Sequence, residues 1–359
     1  MSSASSCRTG FLWSPLFETF DYGRNHPIAK GRFSSIRDHF DRVGLLAQAN
    51  VSTLEAELLP EELLRQVHSP EYIKKVKMIS ETGVGEIDLD TPGFRGIYEN
   101  ARSTCGATIT GVRGVLSGEI EHFYSPTGGF HHARHNAGGG FCVFNDVAAA
   151  VLEIKRAKLD RILVADFDVH HGNGTQDYFH DDPGVMQISF HEDPEWMYPH
   201  TGRIGECGDG PGKGYKINMP FPMDSGDAVY AFAFDELVPP LMEFYRPQFI
   251  IFLPGYDAHY LDRLAHLKLT TRTIRHVAER IHQAAHTWSS GRLGVLTGGG
   301  YSDDALLWGS GAVMSVLTGH RYEVPKETPP FEDNDEIWAE VRRNVEEIQQ
   351  SVFPVLGLS

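Results

Sequence analysis

A short apolar run that ends in acidic and imidazole side chains is the most restrictive feature of this sequence. Residues 162–165 are apolar, and Asp166, Asp168 and His170 follow within the next five positions. Carboxylates are rarely buried unless they are paired or bound to a cation, so a buried strand with this ending is unfavourable without a metal. Oxygen from Asp and nitrogen from His suit zinc and its neighbours among the divalent transition ions. The run therefore predicts a buried strand that leads into a metal site.

Stretches with helical period alternate with short β-branched runs along the rest of the chain. Strands are predicted at 161–165, 185–190, 248–253 and 293–296, and helices at 34–49, 60–80, 94–116, 145–158, 227–244, 270–288, 304–317 and 331–350. Pro239 and Pro240 are expected to interrupt the helix at 227–244. The alternation is typical of an α/β fold with a mostly parallel central sheet and helices on both faces. Long loops rich in glycine and proline, such as 190–213, are expected to build the active site.

No internal repeat, low-complexity linker or break in composition divides the 359 residues. The whole chain, 1–359, is therefore predicted to form one domain, with a motif-bearing core at about 22–319 and a C-terminal helix at about 331–350. A sheet of several strands with flanking helices is well within reach at this length.

Charge and composition exclude several classes of partner. The formal net charge of −16 argues against general binding of nucleic acid, which needs a basic face. No apolar run approaches the roughly 18 residues of a membrane span, and the first residues do not form a secretory signal. Four cysteines with no zinc-ribbon or redox spacing indicate a reducing compartment, so a cytoplasmic protein is expected. The oligomeric state stays open.

Other chemistry-bearing residues also follow predicted strands. Asp257 comes soon after the strand at 248–253, and Tyr301 follows three glycines after the strand at 293–296. Ligands in parallel-sheet proteins gather outside the carboxyl ends of the strands. Asp257 is therefore expected to meet Asp168 and His170 although it is distant in sequence.

A second cluster lies upstream. His131 and His132 are adjacent and follow paired glycines, and a further run of three glycines precedes Phe141. Glycine lets the backbone approach a ligand closely, and Phe141 would place an aromatic face beside that backbone.

Five strings occur in one order: H-H-A-R, G-F-C-V-F-N-D, D-F-D-V-H-H-G-N-G-T-Q, G-Y-D-A-H and G-G-G-Y. Together they resemble the zinc-dependent histone deacetylase superfamily, which includes acetoin-utilisation proteins and acetylpolyamine amidohydrolases. The resemblance covers roughly residues 22–319. It implies the arginase-like α/β fold and an amidohydrolase that removes acetyl or other acyl groups.

The resemblance also implies roles for residues that match the family's motifs. The metal ligands would be Asp168, His170 and Asp257, holding Zn²⁺, with Fe²⁺ as an alternative in the cell. The catalytic set would be His131, His132, Tyr301, Asp166 and Asn173, the last two beside the first and second histidine. The substrate would be held by Phe141, Tyr198, Gly140, Asp90 and Leu264. A structural K⁺ would be held by Asp166, Asp168, His170, Ser189 and Phe190, largely through carbonyl oxygens, and a second K⁺ by Phe179, Asp182, Val185 and Tyr215.

Three protein ligands leave an open coordination position, which marks a catalytic metal that polarises the amide and lowers the pKa of a bound water. We expect His132 to be the general base and His131, near Asp166, to be the more cationic ring. Tyr301 would donate a hydrogen bond to the developing oxyanion. Asn173, a neutral amide, would stabilise the charged form of His132 less than a carboxylate does.

The sequence constrains the choice of substrate less than it constrains the reaction. Leu264 falls where polyamine-selective relatives often have a carboxylate, which favours acyl-lysine in a protein or peptide over a small acylated amine such as an acetylpolyamine. Tyr198 and His200 stand where phenylalanine and glycine are common, with effects on the tunnel that are left open.

Two further functions fit the sequence less well. A non-catalytic acyl-lysine binder is disfavoured because all the ligands, both tandem histidines and Tyr301 are retained. A binuclear manganese ureohydrolase would need D-A-H-x-D, whereas this chain has D-F-D-V-H.

Four other histidines call for plainer interpretations. His68 and His282 are expected to be surface or packing residues, and His171 to make a structural hydrogen bond. His259 is a lesser candidate for the mouth of the site.

Overall fold

A parallel β-sheet forms the centre of the molecule in the computed structural model, which describes residues 7–28, 30–328 and 332–358. Its strands are β1 (Thr9–Trp13), β2 (Val51–Glu55), β5 (His122–Ser125), β6 (Ile162–Asp166), β7 (Val185–Glu192), β8 (Lys216–Phe221), β9 (Phe249–Leu253) and β10 (Leu293–Leu296). Two short antiparallel strands, β3 (Glu86–Asp88) and β4 (Thr91–Pro92), lie apart from it.

The strand order is β2-β1-β5-β10-β9-β6-β7-β8, and every pairing in it is parallel. The strands β6, β9 and β10 are therefore near one another at the middle of the sheet. Their carboxyl ends open on the same edge, which brings the loops that follow them together.

Helices cover both faces of the sheet. They are α1 (Arg32–Arg42), α2 (Glu61–Val67), α3 (Pro70–Thr82), α4 (Ile97–Leu116), α5 (Asp146–Arg156), α6 (Asn173–Tyr178), α7 (Asp227–Tyr245), α8 (Thr271–Trp288), α9 (Asp303–Thr318), α10 (Asp335–Ser351) and α11 (Phe353–Leu356). In β9, Ile250 and Phe252 pack with α1 and α7–α10, whereas Phe249, Ile251 and Leu253 pack with α2–α5. Successive side chains of a strand point to opposite faces, so the all-apolar sequence of β9 fits a strand covered on both sides.

The helix predicted at 60–80 is two helices. Pro70 disfavours helical backbone in the residue before it, and the Ser69 hydroxyl accepts a hydrogen bond from the Tyr72 amide at 3.2 Å, so a new helix begins there. The opposite error concerns α7, which runs through Pro239 and Pro240 without interruption. Apolar side chains are buried on both sides of the prolines, among them Phe234, Leu237 and Leu241, and this packing holds the helix together.

Four strands of the sheet are absent from the prediction: β1, β2, β5 and β8. The strand β8 contains Lys216 and Pro220, which are unusual within a sheet, but it lies at the edge, where proline is tolerated. The strand β2 is the other edge and is largely exposed, so it lacks an apolar pattern.

The C-terminal helix predicted at 331–350 corresponds to α10, which begins at Asp335 with the Asn334 side chain accepting from the Ile337 amide. Phe331 lies outside the described residues. Within those residues, no helix is both long and apolar enough to cross a membrane.

Candidate active site

Loops that follow β6 and β9 bring the predicted ligand residues together. Asp168, His170 and Asp257 each offer an atom to one point, and these atoms lie within 4.8 Å of one another. The Nδ1 atom of His170 is 3.1 Å from Oδ1 of Asp168 and 3.1 Å from Oδ2 of Asp257. All three side chains are buried. The meeting of Asp257 with the two earlier residues is as the strand order predicts.

Beside this trio, only glycine fits at position 299. The Gly299 amide donates to Oδ2 of Asp168 at 2.7 Å, and a Cβ at position 299 would lie 1.9 Å from a carboxylate oxygen of Asp257. The second carboxylate oxygen of Asp257 accepts from the Val169 amide at 3.0 Å. These contacts fix both carboxylates, and the pair of oxygens and one nitrogen suits a divalent transition ion.

Electrostatics within the trio favour a positive charge between the carboxylates. Burial and the nearby charge of Asp168 raise the pKa of Asp257 to about 7. Against the effect of burial, hydrogen bonds to both carboxylates raise the pKa of His170 to about 10. Without a metal the trio therefore holds a proton, which a metal ion must displace on binding.

The tandem histidines have different partners. Nδ1 of His131 lies 2.8 Å from Oδ2 of Asp166, and Nδ1 of His132 lies 2.8 Å from Oδ1 of Asn173. Their Nε2 atoms are 3.1 Å apart. Because Asn173 Oδ1 can only accept, the His132 proton lies on Nδ1, and its Nε2 presents a lone pair to the N–H of His131.

The pKa values of the two rings are shifted in opposite directions. Burial lowers the pKa of His132 well below its usual value, and the neighbouring His131 and His170 lower it further. Burial also acts on His131, but the carboxylates of Asp166 and Asp168 outweigh it and raise that pKa to about 9. At neutral pH the pair consists of a cationic His131 and a neutral His132.

Tyr301 faces the trio from the loop after β10. Its ring centroid is 6.4 Å from that of His170 and 5.7 Å from that of Phe141. Burial raises the pKa of the Tyr301 phenol well above its usual value, and the charges of Asp257 and Asp168 add to this effect. The hydroxyl therefore stays protonated and can donate a hydrogen bond.

Tyr198 and Phe141 are both close to these rings. The Tyr198 ring lies 5.0 Å from that of His132 and 6.4 Å from that of His170. Phe141 adopts a φ of 67° and Gly140 one of 55°. A Cβ on Gly140 would lie 2.4 Å from the His132 ring and 2.8 Å from the Tyr198 ring, so only glycine fits between them.

Known proteins resemble this chain over most of its length. A profile of the histone deacetylase domain matches residues 26–317. The chain is 30% identical over 352 residues to a probable deacetylase from Archaeoglobus fulgidus, which covers 95% of this chain and 97% of that protein. It is 34% identical over 302 residues to a histone deacetylase-like amidohydrolase from Pseudomonas aeruginosa, covering 83% and 77% of the two chains. The HDA15 HD domain matches with a TM-score of 0.86 at 26% identity and covers 98% of this chain and 97% of its own.

This chain belongs to the histone deacetylase family. The resemblance and the arginase-like fold predicted from the sequence are thereby confirmed. As a deacetylase of this family, the chain is a hydrolase of amide bonds that acts on an acylated substrate.

Asp90 and Leu264, two of the residues predicted to contact the substrate, are held by local hydrogen bonds. The Asp90 carboxylate accepts from the Thr91 hydroxyl at 2.8 Å, and that hydroxyl accepts from the Phe141 amide at 3.0 Å. Thr91 thus links Asp90 to the backbone of Phe141. Leu264 lines the same cavity as Tyr301, and its amide donates to Asp262 at 2.9 Å.

A cavity of about 770 Å³ adjoins Tyr301 and Leu264. Four basic side chains, Arg24, Lys30, Arg32 and Arg263, line it together with one acidic side chain, Asp303. This concentration of positive charge is unusual for a chain with a net charge of −16.

Two of the residues predicted for the first K⁺ are paired across the sheet. The register of β6 and β7 sets Asp166 opposite Ser189, and Phe190 follows, fully buried. A side-chain ammonium occupies part of the predicted second K⁺ site. The Lys216 ammonium donates to the carbonyls of Asp182 at 3.2 Å and Val185 at 2.7 Å, so a side-chain cation already takes up two of the expected oxygens.

Several supporting residues escaped the sequence reasoning. Asp146 accepts from the amides of Gly129 at 3.1 Å and Phe130 at 2.8 Å, which fixes the loop that carries the tandem histidines. Its place in the F-N-D string was the available signal. The sequence also offered no indication of a role for Arg32 and Arg263. Both donate hydrogen bonds to backbone carbonyls of the Tyr301 loop.

The other histidines have structural partners. The His171 ring contacts the Thr201 hydroxyl at 2.9 Å and Gln176 Oε1 at 3.1 Å, which agrees with the predicted structural hydrogen bond. His68 is fully buried and accepts from the Asn145 amide at 3.0 Å, so it is a packing residue. His259 is buried with its Nε2 2.5 Å from Glu327, and it does not line the mouth.

Proposed function

We propose that this deacetylase removes acyl groups from lysine side chains with the help of one Zn²⁺ ion held by Asp168, His170 and Asp257. The convergence of these three buried side chains, with the tandem histidines and Tyr301 around them, carries the proposal. Fe²⁺ is the alternative ion, because the same oxygen and nitrogen donors suit it.

When bound, the ion would polarise the amide carbonyl and lower the pKa of water towards about 7. His132 is the proposed general base, because its Nε2 carries a lone pair and its pKa is low enough to keep it unprotonated. The same nitrogen would return the proton to the leaving amine. His131, cationic beside Asp166, would stabilise negative charge without giving up its proton.

Tyr301 is the proposed donor to the developing oxyanion, since its phenol stays protonated and its ring faces His170. Phe141 and Tyr198 would flank a slim methylene chain, with Gly140 giving the backbone space between them. Asp90 would hold the substrate backbone at the rim, and Leu264 would also contact the substrate.

The basic cavity beside Tyr301 favours acyl-lysine in a protein or peptide over an acetylpolyamine. A polyamine carries further ammonium groups, which the positive charges of Arg24, Lys30 and Arg263 would repel. Leu264 offers no carboxylate to such a group. A peptide can instead place neutral or acidic residues near this cavity.

The potassium ion is a separate part of the proposal. We infer that it would be held by Asp166, Asp168, His170, Ser189 and Phe190, and it would act on the fold of the loop rather than on the reaction.

Rates on an acetyl-lysine peptide and on acetylputrescine and acetylspermidine, measured with the same enzyme preparation, test the substrate class. We expect kcat/KM to be at least about 10-fold higher for the peptide, a difference of about 1.4 kcal/mol in transition-state binding. Equal or higher values for the polyamines would reverse the assignment.

The metal is tested by an Asp257→Ala variant compared with Asp304→Ala, which removes a carboxylate at the start of α9. The first variant should lose one bound zinc per chain and all turnover, and the second should lose neither. Full zinc content in Asp257→Ala would exclude the proposed ligand set.

A further inference from the structure

One cysteine and three histidines meet at the edge of the sheet opposite to the candidate active site. Cys7 precedes β1, His122 is the first residue of β5, and His282 and His286 are one turn apart on α8. We call these four residues the Cys–His cluster. All strands of the sheet run in parallel, so the cluster lies at the amino ends of the strands, whereas Asp168, His170 and Asp257 follow the carboxyl ends.

The donor atoms of the cluster converge on one point. Nε2 of His282 is 3.0 Å from Nε2 of His122 and 3.2 Å from Nε2 of His286, which in turn is 3.4 Å from the sulfur of Cys7. All four donor atoms lie within 4.8 Å of one another. A tetrahedral zinc ion with ordinary bond lengths would place its nitrogen ligands about 3.3 Å apart and sulfur about 3.6 Å from nitrogen. Three of the contacts are already near these values.

Direct hydrogen bonds do not account for the close nitrogens. Nε2 of His282 has either one proton or one lone pair, yet it faces two other Nε2 atoms. Burial and the neighbouring imidazoles lower the pKa of His122 to about 4 and that of His282 to about 3. Both rings are therefore neutral at pH 7, with lone pairs available for a cation.

The backbone holds the cluster in position. The Cys7 carbonyl accepts from the Asn50 side chain at 2.9 Å and from the Thr9 hydroxyl at 3.2 Å. His122 is fully buried in β5, between β1 and β10. His286 is exposed and His282 is partly exposed, so an ion can reach the site from solvent.

We propose that the Cys–His cluster binds a second Zn²⁺ ion, through the Cys7 thiolate and the Nε2 atoms of His122, His282 and His286. Four protein ligands of this kind complete a tetrahedron, which is typical of a structural site. On binding, the thiol releases its proton to solvent. The ion ties the segment before β1 to β5 and α8, and it has no part in the amide hydrolysis proposed above.

Cobalt distinguishes the two sites, because only the Cys–His cluster has a sulfur ligand. The full-length protein is stripped of metal with a chelator and titrated with Co²⁺ under reducing conditions. We expect two equivalents to bind and a thiolate-to-cobalt charge-transfer band to appear in the near ultraviolet. Cys7→Ser should abolish the band, and Cys7→Ser combined with His286→Ala should bind one equivalent.

Matched variants separate loss of ligands from general damage. Cys207→Ser removes another thiol, and His276→Ala removes another histidine of α8, so both should keep the band and two equivalents. Asp257→Ala should keep the band while losing the other equivalent, so failure at the active site would not imitate failure here. A native protein that binds one equivalent without the band, or a Cys7→Ser variant that keeps it, would overturn the proposal.

Discussion

Nδ1 of His132 lies 2.8 Å from the side-chain oxygen of Asn173, so the ring proposed as the base has a neutral partner. Its neighbour His131 has the carboxylate of Asp166 at the same distance. The carboxylates of Asp166 and Asp168 raise the pKa of His131, whereas burial and the charges of His131 and His170 lower that of His132.

The variant Asn173→Asp should move the acidic limb of the pH–rate profile to higher pH. A carboxylate stabilises the protonated form of His132 and raises its pKa, so the base is lost at a higher pH as the solution is acidified. We expect kcat/KM to show a shift of about 1 pH unit or more. Asn344→Asp adds the same charge on α10 and should leave the limb in place. Identical limbs in all three proteins would refute the role of His132.

Tyr301→Phe should lower kcat by about 100- to 1000-fold, because one donor to the developing oxyanion is lost. The ring and its packing against Phe141 are retained, so metal content and thermal stability should change little. Steady-state rates and metal analysis on the same sample measure both. Tyr260→Phe removes a hydroxyl outside the site and serves as the control. A rate within about 3-fold of the native value would remove Tyr301 from the mechanism.

Arg263 positions Tyr301 without reaching the trio. Its Nε and Nη2 atoms donate to the Tyr301 carbonyl at 3.0 and 2.7 Å, and Asp262 accepts from the Tyr301 amide at 2.6 Å. Small misplacements of a reacting group can cost about 100-fold in rate. We therefore expect Arg263→Ala to lower kcat by about 10- to 100-fold, with KM changing less.

The same substitution in Tyr301→Phe tests this explanation. If Arg263 acts through the Tyr301 hydroxyl, Arg263→Ala should cost much less in the phenylalanine background, which a double-mutant cycle on kcat measures. Arg272→Ala, at the start of α8, is the control for loss of an arginine. Additive effects of the two substitutions would show that Arg263 has another role.

The sequence predicted the parts of the site that follow from strand patterns. The strand Leu293–Leu296 is as predicted, and a run buried on both faces, such as Phe249–Leu253, has a clear apolar signal. Asp257 could be expected to meet Asp168 because both follow parallel strands, and β9 is in fact paired with β6. Periodicity also explains the success with most helices.

Contacts that depend on three-dimensional neighbours could not be predicted in this way. Cys7 and His122 meet because β1 pairs with β5, a pairing that no local pattern indicates when neither strand is recognised. The i, i+4 spacing of His282 and His286 on α8 was a usable signal, but a spacing alone does not show what it faces. Lys216 was missed for the same reason, since a lysine in a strand normally argues for exposure.

We expect Lys216 to change how the free energy of unfolding depends on pH. The side chain is fully buried, and this burial lowers its pKa to about 8. In the unfolded chain a lysine has a pKa of about 10.4, so between these values the unfolded state binds more protons than the folded state. By linkage, this group makes the folded protein more stable as pH rises from about 8 to 10.4, a contribution on the order of 3 kcal/mol.

Lys216→Met removes that contribution. The stability of the variant relative to the native protein should therefore fall by on the order of 3 kcal/mol between pH 8 and 10.4, as urea unfolding at a series of pH values would measure. Lys213→Met, at an exposed position three residues earlier, should follow the native curve. Parallel curves for the native protein and Lys216→Met would mean that burial does not lower the pKa of Lys216.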